Sequence, residues 1–311
     1  MGKLQQKVVG AIDIGGTKIS AAVVDAQGRI LARGDGTTCP EEGYVPAFRR
    51  IAGLLREAVA RCRCEIAGIG VGSPGPFDPV TGIYGDIGTL PGWQGYDLPG
   101  DLAKEFGLPV AMENDCDAAA LGESAWGAGR NRGSLIYVTI STGIGGGFVV
   151  GGRLYRGAKG GHPEIGHQMI DASGPLCYCG AKGCWEVLAS GPGMAAWVAE
   201  KTGNHAIDAR RICELAREND PICRQAVERE AFYLGLGLAN LVTMFCPDVI
   251  ALGGGLTQSA DLFLPGAIDI VRRICTQVPV QNTSIQLATL GKDVVLAGAA
   301  QVWHHRFDDE A

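Results

Sequence analysis

The 311-residue sequence predicts an α/β protein made by internal duplication. Two observations carry that prediction. Strand-like and helix-like runs alternate along the chain, the signature of α/β architecture. A strand, a glycine-rich turn and a second strand also occur twice, the copies starting about 125 residues apart. Each copy is read as the opening of one domain. The expected boundaries are 1–112 plus 297–311 for an N-terminal α/β domain completed by the C-terminal helix, and 113–296 for a larger α/β domain.

The elements follow in order. In "VVGAIDIGGTKISAAVVDAQGRILAR" two β-rich runs flank "DIGGTK" and "DAQGR" makes the next turn, so a hairpin and a third strand are expected. "VPAFRRIAGLLREAVARC" spaces Val45, Phe48, Ile51, Leu55, Ala58, Val59 and Cys62 as one face of a helix. "EIAGIGVGSPGP" is a strand ending in a Gly/Pro loop, and "LPVAMENDCDAAALGESAWG" is a short strand entering a helix. "SLIYVTISTGIGGGFVVGGRLYRG" repeats the opening plan. Beyond a cysteine cluster the chain reads as helical to about Phe245. "DVIALGGGL" is a buried strand ending in glycines, and "DVVLAGAAQVWHHRF" is a final helix.

Composition narrows the function. The chain is 46% hydrophobic and 19% charged, with a net charge of −6. These values fit a soluble globular protein with no long-range attraction for nucleic acid. No apolar run reaches the length of a membrane span, and the N-terminus lacks the pattern of a signal peptide. A cytoplasmic protein is expected, without nucleic-acid or membrane partners. In that reducing compartment the eleven cysteines imply no disulfide framework. Eight of them, Cys39, Cys62, Cys64, Cys116, Cys213, Cys223, Cys246 and Cys275, read mostly as small buried hydrophobes. Cys62 and Cys64 form an isolated C-x-C.

Several motifs carry chemistry. No P-loop sequence occurs, and the formal G-x-G-x-x-G at Gly70, Gly72 and Gly75 contains Pro74 and precedes Pro76. No helix can open there to receive a pyrophosphate, which excludes a dinucleotide fingerprint. The glycine turns are more informative, because close-approaching backbone N–H groups bind polyphosphate. "DIGGTK" supplies Gly15 and Gly16, a hydroxyl (Thr17), a cation (Lys18) and an acid (Asp13) able to organise Mg²⁺ through water. "STGIGGG" adds Thr142 and Gly143. "GGGL" adds Gly254 and Gly255, toward the nucleoside end. Three such turns at strand ends point to a nucleotide site.

"ENDCD" brings Glu113, Asp115 and Asp117 to the start of an apolar helix. They are either N-terminal caps or, for Asp115, a general base with Asn114 beside it. His167, Cys177, Cys179 and Cys184 offer four ligands for a closed, structural Cys₃His zinc site. The alternative is three free cysteines in a loop.

In combination, "DIGGTK", "SPGP", "LPGW", "END", "STGIGGG", "EIGH", "CYCGAKGCWE" and "ALGGGL" resemble, in family order, the ROK family of sugar kinases. The resemblance runs along nearly the whole chain. It implies the actin-like, ribonuclease-H-like ATPase fold, with two domains around a central cleft closing on ATP and a sugar. By resemblance Asp115 is the base that takes the sugar hydroxyl proton. Thr89, Asn114, Glu164, His167 and Glu186 are sugar contacts, and Thr17, Lys18, Thr142 and Gly143 are phosphate contacts. His167 would bind zinc through one ring nitrogen and meet the sugar through the other. Two positions depart from the family pattern. Thr89 stands where its glucokinases usually carry Asn. Asp117 stands where Asn is usual, which is read as a capping variation. The expected activity is an ATP- and Mg²⁺-dependent glucokinase acting on the 6-hydroxyl. N-acetylglucosamine or N-acetylmannosamine kinase, fructokinase and allose kinase are the alternatives. A sugar-sensing repressor is the rival class, but the first strand starts too early for a helix-turn-helix to precede it. A homodimer or homotetramer is expected.

Overall fold

The computed structural model describes residues 7–307. In chain order the elements are β1 (Val9–Ile14), β2 (Lys18–Val24), β3 (Ile30–Thr37), α1 (Tyr44–Cys62), β4 (Ile69–Ser73), α2 (Leu98–Phe106), β5 (Val110–Asn114) and α3 (Asp115–Trp126). Then come β6 (Ser134–Ile140), β7 (Ile144–Val150), β8 (Arg153–Leu154), α4 (Trp185–Ala189), α5 (Gly191–Thr202), α6 (Ala209–Arg217) and α7 (Pro221–Phe245). β9 (Val249–Gly253), α8 (Ala260–Ile274), β10 (Ser284–Leu287) and α9 (Val294–Phe307) complete the series. No helix among the described residues is long and apolar enough to cross a membrane.

Two sheets follow one plan. The first has the order β3-β2-β1-β4-β5, the second β10-β9-β6-β7-β8. In the first, β1, β2 and β3 are antiparallel, while β4 and β5 join in parallel on the far side of β1. In the second, β6 pairs in parallel with β9, β9 with β10, and β7 is antiparallel to β8. Replacing β1–β5 by β6–β10 turns one order into the other, so the duplication expected from the glycine turns extends to whole sheets.

By contacts the chain forms two compact units. One holds residues up to Asn131, Gly147–His162 and those from Thr289 on; the other holds Arg132–Gly146 and Pro163–Ala288. The first unit therefore runs past the boundary expected at 112, because α3 packs along α9 and stays with it. In this unit one face of the first sheet packs Ile12, Ile14 and Ile19 against Ile51, Leu55 and Trp93. The opposite face packs Val9, Ala11, Ala22 and Val24 against Leu296, Ala299 and Trp303 of α9. Burying such side chains is worth about 1.5–3 kcal/mol each, so both faces need their helices.

Two expectations change. α1 forms where its periodicity places it, but its buried stripe is Tyr44, Ala47, Ile51, Ala52, Leu55 and Ala58, and Val45 is exposed. Tyr44 sets that stripe by stacking on Tyr96, with ring centroids 4.1 Å apart. Cys62 and Cys64 are joined by a disulfide, contrary to the expectation of free buried thiols. The chain turns through left-handed Arg63 between them (φ 55°). Of the remaining six scattered cysteines, Cys116, Cys213, Cys223 and Cys275 are buried as expected, whereas Cys39 is half-buried and Cys246 is exposed.

Candidate active site

In the first unit the β1–β2 hairpin presents "DIGGTK". The Gly15 amide donates to the Lys18 carbonyl at 2.8 Å, closing a tight turn, and Thr17 and Lys18 stand exposed beyond it. The Lys18 ammonium is not free over the turn: it pairs with Asp35 at 3.1 Å. Against burial, which opposes it, hydrogen bonds from Ser20, Arg33 and Lys18 hold the Asp35 carboxyl below the usual carboxylate range. Arg33 also reaches Asp293. Burial and the charge of Asp115 push Asp13 up to about 7, with Arg33 and Lys18 pulling the other way. Mutually repelling acids of this kind suit a hydrated dication, whose charge would restore their ionisation. Thr89 is exposed and borders the same turn; a Cβ on Gly16 would lie 3.4 Å from the Thr89 Cβ.

At the end of β5 the chain turns into α3. Asn114 is the N-cap: its Oδ1 accepts from the Cys116 amide at 2.9 Å, and Asp115 Oδ1 accepts from the same amide at 2.8 Å. Capping and a functional role are thus compatible for Asn114, since the cap engages only its oxygen. Burial raises the Asp115 carboxyl; the Cys116 amide and His162 oppose this and Asp117 adds to it. Burial likewise pushes Glu113 up to about 7, with Arg156 opposing. Asp117 corrects the capping reading. Its side chain is fully buried and bonded to Arg156 and to His162 Nδ1, the latter at 2.7 Å, while the cap bond is made by Asn114.

The second unit holds the other glycine turns. Glu186 Oε2 accepts from the Ile144 amide at 2.9 Å. A Cβ on Gly143 would fall 2.4 Å from that oxygen, so only glycine lets the carboxylate close on the turn. Gly254, at φ 90°, packs on the backbone of Ile140, and Gly255 lies beside Ser141. Thr142 and Gly255 line one cavity of about 730 Å³, shared with Pro192, Arg210, Arg217 and Leu256. It is roomy enough for a nucleoside and joins two of the three predicted turns.

The ligand atoms of His167, Cys177, Cys179 and Cys184 lie within 4.8 Å of one another. A tetrahedral ion with bonds of about 2.0–2.3 Å fits such a set. His167 Nδ1 faces Cys177 Sγ at 3.6 Å, while Nε2 lies 3.0 Å from the Tyr178 hydroxyl. The nitrogen expected to meet a sugar therefore has a protein partner. Glu164 is exposed just before His167.

The predicted residues thus form two groups. Asp13, Gly15, Gly16, Thr17, Lys18, Thr89, Asn114 and Asp115 belong to the first unit; Thr142, Gly143, Glu164, His167, Glu186, Gly254, Gly255 and the three cysteines belong to the second. Sequence reasoning missed Arg156, His162, Tyr178 and the α6 arginines. Tyr178, between Cys177 and Cys179, had a positional signal; Arg156 and the α6 residues had none.

Comparison with known proteins identifies the family. The ROK family profile matches residues 9–306. The chain is 31% identical to a glucokinase of Thermotoga maritima over 96% of its own length and 98% of that protein. It matches the crystal structure of a ROK hexokinase from Thermus thermophilus with a TM-score of 0.88 and 35% identity, covering 97% of this chain and 99% of that one. A ROK-family glucokinase from Streptomyces griseus, solved with glucose and AMPPNP, matches with a TM-score of 0.81 and 32% identity, over 95% of this chain and 98% of that one.

Proposed function

The chain belongs to the ROK family, and from that premise we propose that it is a glucokinase, an ATP-dependent hexose kinase transferring the γ-phosphoryl group to the 6-hydroxyl of glucose. The observation that carries the reading is Asp115. It is a carboxyl raised by burial at a strand-to-helix corner, next to a capped Asn114, in a chain similar to proteins named glucokinase and hexokinase.

Asp115 accepts the proton of the attacking hydroxyl, and its raised affinity for protons suits a base working near neutral pH. Asn114, Thr89, Glu164 and Glu186 orient the sugar. His167 supports the sugar side through Tyr178, which bonds Nε2. Thr17, Lys18, Thr142 and Gly143 contact the phosphates, and the cavity bordered by Gly255, Arg210 and Leu256 takes the nucleoside. Lys18 must leave Asp35 or share it to do so. Asp13 would hold the hydration shell of Mg²⁺, which when bound neutralises phosphate charge. His167, Cys177, Cys179 and Cys184 would hold a structural zinc, which leaves no open position for chemistry.

A coupled kinase assay over glucose, mannose, fructose, allose and the N-acetyl amino sugars tests the reading. Glucose should give the highest kcat/KM. A lead for fructose, allose or an N-acetylated sugar would replace glucokinase by the corresponding kinase.

A further inference from the structure

Around Asp115 lies a set of buried and half-buried charges that phosphoryl transfer does not require. Arg156, just after β8, sends one guanidinium nitrogen to Glu113 and the other to Asp117. These two acids stand two residues before and two residues after Asp115. Asp117 is fully enclosed, and its Oδ2 also takes His162 Nδ1 at 2.7 Å. Glu113 and Arg156 are mostly covered as well.

We propose that Arg156 and Asp117 are positioning residues for Asp115: one guanidinium, tied to the end of β5 and to the first turn of α3, locks the corner that presents the base. The inference rests on Asp115 being the base of the kinase reaction. The chemistry favours a geometric role. Arginine offers two donors in a planar fork, so one side chain can hold two carboxylates at a fixed separation. An ammonium is a point charge and cannot set that spacing. A buried ion pair adds little net stability over apolar packing, and fixing one arrangement is a better-attested use. The reacting groups need such fixing, because misplacement by about 1 Å can cost about 100-fold in rate. Removing Arg156 alone would leave buried Asp117 and half-buried Glu113 flanking the base without their shared counter-charge. Removing the Asp117 charge as well relieves half of that conflict, so the second substitution should help in the first background and harm in the parent.

The test compares Arg156→Gln, Arg156→Lys, Asp117→Asn, the double variant Arg156→Gln/Asp117→Asn and Asp115→Asn. It measures kcat and KM with the sugar that the parent turns over fastest, sugar affinity by calorimetry without nucleotide, and thermal melting. Arg156→Gln should lose about 10- to 100-fold in kcat, with sugar affinity held within about threefold. Arg156→Lys should stay impaired, Asp117→Asn should be slower than the parent, and the double variant should regain about threefold or more over Arg156→Gln. The proposal is overturned if Arg156→Gln keeps kcat within about twofold of the parent, if the double variant is slower than Arg156→Gln, or if kcat falls only where folding or sugar affinity falls equally. Should Asp115→Asn turn over like the parent, the base assignment fails and takes the positioning role with it. An inactive Asp115→Asn beside an unimpaired Arg156→Gln would sink the positioning role alone.

Discussion

Single side chains set the chemistry. Asp115→Asn should lower kcat about 10²–10⁴-fold while sugar binding persists; turnover within about threefold of the parent would remove Asp115 from the base role. The raised Asp115 carboxyl also predicts that the acid limb of the rate profile lies above the range of an ordinary carboxylate, read from kcat/KM against pH. Glu230 makes a different prediction. It is fully buried in α7, neither carboxylate oxygen has a hydrogen-bond partner, and burial raises its pKa far above normal despite Arg229. The folded protein therefore keeps a proton that the unfolded chain releases. Where the folded state binds more protons, stability falls as pH rises. Glu230→Gln should melt above the parent at about pH 8, with the gap closing toward about pH 5; a gap independent of pH would refute this. At this scale the strand-to-helix corner carrying Asp115 was legible from its run of residues, and the gathering of His167, Cys177, Cys179 and Cys184 was legible from the count of soft donors they offer. Asp117 was misread because a helix start is the usual home of a capping acid. Its partner Arg156 lies in the run "GGRLYRG", where no local pattern announces it.

Elements turn local patterns into sites. The segment Cys177–Cys184 gathers its three thiols with little regular structure, held by turns such as the Gly180 amide on the Cys177 carbonyl at 2.9 Å. A metal would then be a main source of its order. Purified protein should contain about one zinc per chain, Cys179→Ser should lose it, and strong chelation should lower both the melting temperature and sugar affinity. Full activity and unchanged melting in metal-free protein would dismiss the site. The hairpin, α1, β5 into α3 and α9 were readable because apolar periodicity and turn residues agree along each run. The Val45 error came from the edge of a stripe, where Tyr44 and its aromatic partners decided which side faced inward. The Cys62–Cys64 bond was hidden because compartment arguments speak to averages, not to two thiols on either side of one turn.

At the level of the whole molecule, the repeated sheet order is the feature most plainly announced by sequence, since glycine-rich turns mark both copies. Membership of the units was less legible. Whether α3 goes with the residues before or after it depends on α9, which arrives at the other end of the chain. That arrangement has a consequence for biosynthesis. The face formed by Val9, Ala11, Ala22 and Val24 is covered by Leu296, Ala299 and Trp303, made roughly 270 residues later. At about 5–20 residues per second the ribosome leaves that face uncovered for about a quarter of a minute to a minute. A nascent chain stalled before Val294 should therefore expose a sticky sheet face to holding chaperones, and release of the last helix is the step that lets the earliest strands finish folding.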